Sequence, residues 1–267
     1  KITLRHLLSH TSGLPPDAPI GNNFSSVFKQ GVYAPLERRI NSLDRVWLRT
    51  EVGSKYSYSN VGFDLVARII EVRSGKSFHE YVRSNVLEPP DMKHSTFNLD
   101  TIPYLPNLTT GNCNGFDGVV PVKFSSIGAG GLYTCSKDML NFLSAALGEF
   151  SEILNKDLYQ ELISIPFSDE TSGYALGLTV NDFQYCSPAF GHTGNGFGFT
   201  SLVHWVPELE IGIAILSNRE STYNGLQNIQ RALISEYSRS DITNLPCQDV
   251  SQYDRHFDHT ERHYYEQ

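Results

Sequence analysis

Residues 55–78 read KYSYSNVGFDLVARIIEVRSGKSF. Val61, Leu65, Ile69 and Val72 fall at i, i+4, i+8 and i+11, with Val66 and Ile70 beside them, so the spacing predicts an amphipathic helix from Val61. Ser74-Gly75 supplies its stop. Ser77-Phe-His-Glu80 is a capping box that opens a second helix to about Leu87, closed by Pro89-Pro90. Tyr58-Ser59-Asn60 stands directly in front of the first helix. It admits two readings: a packed aromatic with Asn60 as helix N-cap, or a polar triplet that does chemistry.

Upstream, residues 3–10 (TLRHLLSH) predict a short helix capped by Thr3, which stops at Thr11-Ser12-Gly13 before Leu14-Pro15-Pro16. Ser9, His10, Thr11 and Ser12 are read as a helix end and turn that support a neighbouring cleft. Residues 15–35 are rich in Pro, Gly and Asn and predict a loop, with a short helix expected near Leu43–Leu48. Downstream, residues 98–128 are rich in turn formers. A Gly cluster at 128–131 precedes a helix expected to be capped by Ser136, and another helix is expected over about 155–164. Ser125, Ser126 and the Gly cluster are read as structural, on a loop lining a pocket.

After Ser172 the period changes. YALGLTV (174–180), FTSLVHWV (199–206) and IGIAILSN (211–218) predict strands separated by turns. Residues 222–238 predict an amphipathic helix using Leu226, Ile229, Leu233 and Tyr237. The expected organisation is a helical, loop-rich lobe over 1–170, an antiparallel sheet with a closing helix over 171–239, and a poorly ordered tail over 240–267.

Composition narrows the classes. The 267 residues are 40% hydrophobic with a net charge of −8, which fits a globular core and offers no basic block for nucleic acid. Ile211–Leu216 is among the longest apolar runs, far short of the roughly 20 residues that span a bilayer. Cys113, Cys135, Cys186 and Cys247 form no C-x-x-C pair, so they are read as isolated thiols rather than a zinc site, with three pairings open to them if oxidised. His256, His259 and His263 are read as a solvated tail, not as metal ligands. Asn23 and Asn107 head N-x-S/T sequons that matter only in a eukaryotic secretory setting. The chain opens without Met or an h-region, so it is read as a fragment whose targeting signal lies upstream.

Five segments, in order, carry a resemblance: LLSHTSGL (7–14), YSYSNVGFDLVARIIEVRSGKSF (56–78), VLEPPDMKHSTF (86–97), GAGGLYTCSKDML (128–140) and GHTGNGFGF (191–199). Together they resemble the beta-lactamase-related serine hydrolases: class C beta-lactamases, D-Ala-D-Ala carboxypeptidases and esterases. The resemblance spans about residues 1–238 and implies an α+β fold, with an antiparallel sheet flanked by helices, a mostly helical lobe and the active site between them. It implies hydrolysis of a small ester, amide or peptide through an acyl-enzyme. It implies no metal or organic cofactor, and a periplasmic, secreted or cell-surface location. The alternative is a non-catalytic relative whose cleft binds a ligand or peptidoglycan.

That family uses Ser-x-x-Lys, Tyr-x-Asn and Lys/His-Thr-Gly. Tyr58-Ser59-Asn60 matches the second and His192-Thr193-Gly194 the third. The resemblance implies Tyr58 as the proton shuttle, Asn60 as an amide aimed at substrate or lysine, Thr193 as a hydroxyl donor and the Asn195 backbone N–H as an oxyanion donor. Gly194 is expected to let substrate approach the backbone of an edge strand. His192 replaces a permanent cation, which favours esters or peptides over beta-lactams. The nucleophile helix and first strands of the family are expected to be missing. Ser26-Val27-Phe28-Lys29 does fit Ser-x-x-Lys, but about one chance match is expected and it follows the HTSGL segment, so it is read as a decoy.

Overall fold

A computed structural model describes residues 1–20, 34–98, 100–105, 107–113, 116–119, 125–164, 167–168, 173–182, 188–196 and 198–241. The Ser26–Lys29 match, Asn23, Cys186, Cys247 and the His256, His259 and His263 group lie outside these residues, as does the tail beyond Asp241.

The order is α1 (Leu4–Leu8), α2 (Leu36–Asn41), α3 (Asn60–Ser74), α4 (Phe78–Val82), the β1–β2 hairpin (Gly111–Cys113, Phe116–Val119), α5 (Ser136–Leu147) and α6 (Lys156–Ile163). Then follow β3 (Phe167–Ser168), β4 (Gly173–Tyr174), β5 (Thr179–Asp182), β6 (Pro188–Gly196), β7 (Phe199–Val206), β8 (Ile211–Ser217) and α7 (Tyr223–Asp241). Strands β3 to β8 form one six-stranded antiparallel sheet in sequence order. The sheet flanked by helices is the α+β architecture that the motif order implied.

Strand alternation explains how helices cover both faces of the sheet. On β7, His204 is buried against Gln230 of α7, whereas Trp205 packs in a core with Leu143, Ala146 and Phe150 at α5 and its C-terminal turn. Opposite sides of one strand thus serve two helices. A second cluster, Leu7, Leu14, Ala18 and Val61, ties α1 and its following turn to α3.

Helix α3 is anchored by a buried charge network. Arg39, from α2, donates through Nε (3.0 Å) and a terminal nitrogen (2.9 Å) to Asp64 Oδ2. Asp64 also accepts from Ser126 Oγ at 2.8 Å and Gly128 N at 3.2 Å. Arg39 reaches Asp17 at 3.0 Å and the Ile20 carbonyl at 3.0 Å. These bonds hold α2, α3, the 15–20 loop and the 125–128 segment together. A Cβ on Gly128 would sit 2.3 Å from the Phe63 carbonyl oxygen, so only glycine permits this approach.

Several expectations change. The buried face of α3 is Val61, Gly62, Asp64 and Ala67, while Ile69 and Val72 are exposed. Hydropathy misplaced the face because the buried carboxylate is compensated by Arg39. On α7, Leu226 is buried as expected, but Ile229, Leu233 and Tyr237 are exposed, and Gln230 and Ile234 complete the buried face because Gln230 bonds His204. The helix near Leu43–Leu48 is instead α2 plus a 3-10 turn at Ser42–Arg45, leaving Trp47 in solvent. Past Val82 the second helix widens into a π-turn over Arg83–Leu87. Cys135, not Ser136, is the N-cap position of α5, and no side chain bonds there. The YALGLTV run is not one strand: it turns at Gly177 (φ 87°) between β4 and β5. Among the described residues, no helix is long and apolar enough to cross a membrane, and Cys113 and Cys135 are free thiols.

Candidate active site

The cleft begins at the entry to α3. Ser59 is the N-cap: its Oγ accepts from Gly62 N at 3.1 Å and donates to the Pro15 carbonyl at 2.7 Å. Asn60 is therefore not the cap but the first helical residue, and its backbone N–H donates to the Pro16 carbonyl at 2.9 Å. Its side-chain amide has no hydrogen-bond partner among the described residues. Capping by Ser59 fixes the chain just before the helix and so sets where Tyr58 projects.

The opposite wall is β6. Thr179 Oγ1 donates to the Gly191 carbonyl at 2.8 Å, so Gly191 faces β5. Pairing with β5 ends at Gly191, because the chain turns away at Gly177, whose N–H donates to the Leu8 carbonyl at 2.9 Å. Pairing with β7 stays regular from Phe190 to Gly196. Antiparallel residues alternate which edge their N–H and C=O serve. Thr193 and Asn195 consequently present their backbone groups on the edge that β5 leaves open. β6 is an interior strand whose last residues act as an edge, which corrects the simple edge-strand expectation.

His192 uses that edge. Its Nδ1–H donates to the Thr193 carbonyl at 2.6 Å, leaving Nε2 as an acceptor. Burial lowers its pKa, against a smaller upward pull from that bond, so the ring is neutral near pH 7. Asn195 Oδ1 accepts from Thr200 Oγ1 at 3.1 Å and Ser221 N at 2.8 Å, which clamps β6 to β7 and to the turn after β8. The Asn195 side chain is thus structural, while its N–H remains on the open edge. A Cβ on Gly194 would lie 2.6 Å from Ser201 Oγ on β7, so a side chain there would require Ser201 to turn away.

The two motifs meet through their rings. Tyr58 and His192 have centroids 6.4 Å apart. Tyr174 of β4 stands edge-on to His192 at 6.1 Å. Beneath them lies His10, 1% exposed, with its ring 4.3 Å from Tyr58 and 4.7 Å from Tyr174. Ser9, Thr11 and Ser12 around it are buried, and Ser9 Oγ is tied to the Arg5 carbonyl at 2.7 Å and to Thr11 Oγ1 at 2.9 Å. Ser125 Oγ accepts from Ala34 N at 3.1 Å. Sequence reasoning missed Tyr174, which sat in an apolar strand-like run with nothing polar to mark it. It also treated His10 only as part of a turn.

A model of the family described as Beta-lactamase matches residues 1–236. The chain belongs to that family. The D-alanyl-D-alanine-carboxypeptidase/endopeptidase AmpH of Escherichia coli K12 is 29% identical over 266 residues, covering 92% of this chain and 66% of AmpH. The N-acetylmuramyl-L-alanine amidase of Bacillus subtilis is 26% identical, covering 83% of this chain and 57% of that protein. The chain thus spans between half and two thirds of these relatives. A penicillin-binding protein from Bacillus halodurans superposes with a TM-score of 0.72 at 25% identity, over 87% of this chain and 74% of that one. The D-amino acid amidase of Ochrobactrum anthropi gives 0.70 at 22% identity, over 90% and 72%, and supports the fold. The chain is a member of a beta-lactamase-related family of serine hydrolases.

Proposed function

We propose that this chain carries the proton-transfer and substrate-binding half of an acyl-transfer site acting on a small ester, amide or peptide. The observation that carries the reading is the approach of Tyr58 to His192 across one cleft. In this reading Tyr58 takes the proton of a serine nucleophile and hands it to the leaving group. The Asn195 N–H, on the open edge of β6, donates to the oxyanion. Thr193 offers its hydroxyl to a substrate carbonyl or carboxylate, and the Asn60 amide donates or accepts toward substrate. Gly194 leaves the edge open for substrate to approach the backbone.

Neutral His192 favours a substrate without a carboxylate at that point, so we place ester or neutral amide cleavage ahead of beta-lactam hydrolysis. The nucleophilic serine and its lysine are proposed to lie outside this sequence, since Ser26–Lys29 is the single Ser-x-x-Lys and precedes Tyr58 only after the HTSGL turn. The relatives, each longer than this chain, support that reading. A periplasmic, secreted or cell-surface setting is proposed with it.

The test is to read the coding sequence upstream of Lys1, express the longer protein and treat it with a fluorophosphonate. Labelling at an upstream Ser-x-x-Lys serine supports the enzyme. An upstream sequence without that motif, and no labelling, overturns it in favour of a binding relative.

A further inference from the structure

His10 occupies an unusual position for a turn residue. Its backbone is left-handed (φ 55°), its carbonyl accepts from Ser57 N at 2.7 Å, and its side chain is almost wholly enclosed. Such a conformation is uncommon outside glycine and persists when the surroundings fix it. Here both ring nitrogens are engaged. The Ser59 N–H donates to Nδ1 at 3.1 Å, so that nitrogen carries no proton. The neutral ring then holds its proton on Nε2 and donates it to Tyr174 Oη at 3.1 Å. Between these two bonds the ring face lies against Tyr58, and Phe63 and Tyr56 pack around it at 5.1 Å and 5.7 Å.

From this geometry we infer that His10 is a positioning residue: it seats the Tyr58 ring and joins the α3 entry to β4 through Ser59 and Tyr174. The inference rests on Tyr58 being the proton-transfer group of the proposed site. A bare packing residue would need neither nitrogen bonded, because a phenyl ring fills the same space. The bonds set two directions instead. The bond to Ser59 holds the α3 cap, the residue that follows Tyr58, and the bond to Tyr174 holds the wall that faces His192. Accepting from His10 leaves the Tyr174 hydroxyl hydrogen free to donate into the cleft, so one buried ring sets the placement of one phenol and the donor direction of another.

Neutral burial of His10 agrees with this: desolvation, with a smaller repulsion from His192, lowers its pKa to about 3.

The test uses the chain as it stands. Nitrogen NMR at neutral pH reads the His10 tautomer, the ring being assigned through bonds from its own backbone in the parent protein. A neutral ring protonated on Nε2 supports the inference; an Nδ1–H tautomer or an imidazolium overturns it. This arm needs no folded variant. The second arm replaces tyrosines by 3-fluorotyrosine and assigns Tyr58 with Tyr58→Phe. In the parent, a seated ring gives two orientation signals of unequal intensity. In His10→Asn, which suits a left-handed backbone and keeps an acceptor for Ser59, the second signal is lost as the two merge. The Tyr159 signal, in the other core, stays unchanged throughout. Unchanged Tyr58 signals in His10→Asn overturn the inference. If the ring is freed yet Tyr58→Phe leaves the longer enzyme fully active, the proposed function fails while the seating of the ring stands.

Discussion

Tyr58, from the segment before α3, and His192, from β6, place their ring centroids 6.4 Å apart, and Tyr174 from β4 approaches the same His192 ring at 6.1 Å. Three separate parts of the chain therefore converge on one edge of the sheet. The convergence needs two features that are not chemical: Ser59 capping α3, and the turn at Gly177 before β5 that leaves the end of β6 unpaired on that side.

Removing only the phenolic oxygen tests the role of Tyr58. In a protein extended upstream to include a Ser-x-x-Lys segment, Tyr58→Phe should keep the packing against His10 and lower kcat by about 10²–10⁴-fold, with a small change in KM. Steady-state kinetics on a neutral ester give the answer. Equal activity would return Tyr58 to an aromatic beside a helix cap.

Specificity should follow the charge at position 192. His192→Lys places a permanent cation on the open edge of β6. It should raise kcat/KM for a carboxylate-bearing amide relative to a matched neutral ester. A ratio that does not move, in a variant that still folds, removes His192 from substrate selection.

The motifs were legible because Tyr58-Ser59-Asn60 and His192-Thr193-Gly194 are short, ordered and chemically specific. Much of the sheet was legible too, since β7 and β8 are β-branched runs bounded by turns. What failed has a common cause. The exposed stripe of α7 and the true face of α3 turn on Gln230 with His204 and on Asp64 with Arg39. Periodicity treats such residues as surface, because pairing between distant segments is invisible to a local window. Tyr174 was lost the same way: its hydroxyl pairs with His10, far away in sequence.

The Arg39–Asp64 pair should dominate the stability of the helical lobe. Arg39 is 0% exposed, and Arg39→Ala leaves Asp64 buried with Ser126 and Gly128 alone as donors. The expected loss is about 3–5 kcal/mol, read as a lower urea midpoint. The double change Arg39→Met with Asp64→Leu removes both charges and should recover most of it. A double variant as unstable as the single would mean that the shape of the network matters more than its charge.

Stability should fall on mild acidification. Burial lowers the pKa of His10 to about 3, with a smaller contribution from His192, and that of His204 to about 4 despite its bond to Gln230. An unfolded histidine titrates near 6.5. Below that pH the unfolded chain binds protons that the folded chain refuses, so stability drops as pH falls from about 6.5 toward the folded pKa values. Each of the two rings should cost about 2 kcal/mol at pH 5 relative to neutral pH, and the sum is a large part of a usual domain stability of about 5–15 kcal/mol. Urea unfolding at neutral pH and at pH 5 measures it. His204→Gln removes one titrating ring while leaving the cleft intact, so it should reduce the loss between the two pH values by about 2 kcal/mol, whatever it does to stability at neutral pH. A parent protein equally stable at both pH values, with a pH dependence that His204→Gln leaves unchanged, would show that these rings become protonated in the folded state, and with that the neutral His10 on which the seating of Tyr58 depends would be lost.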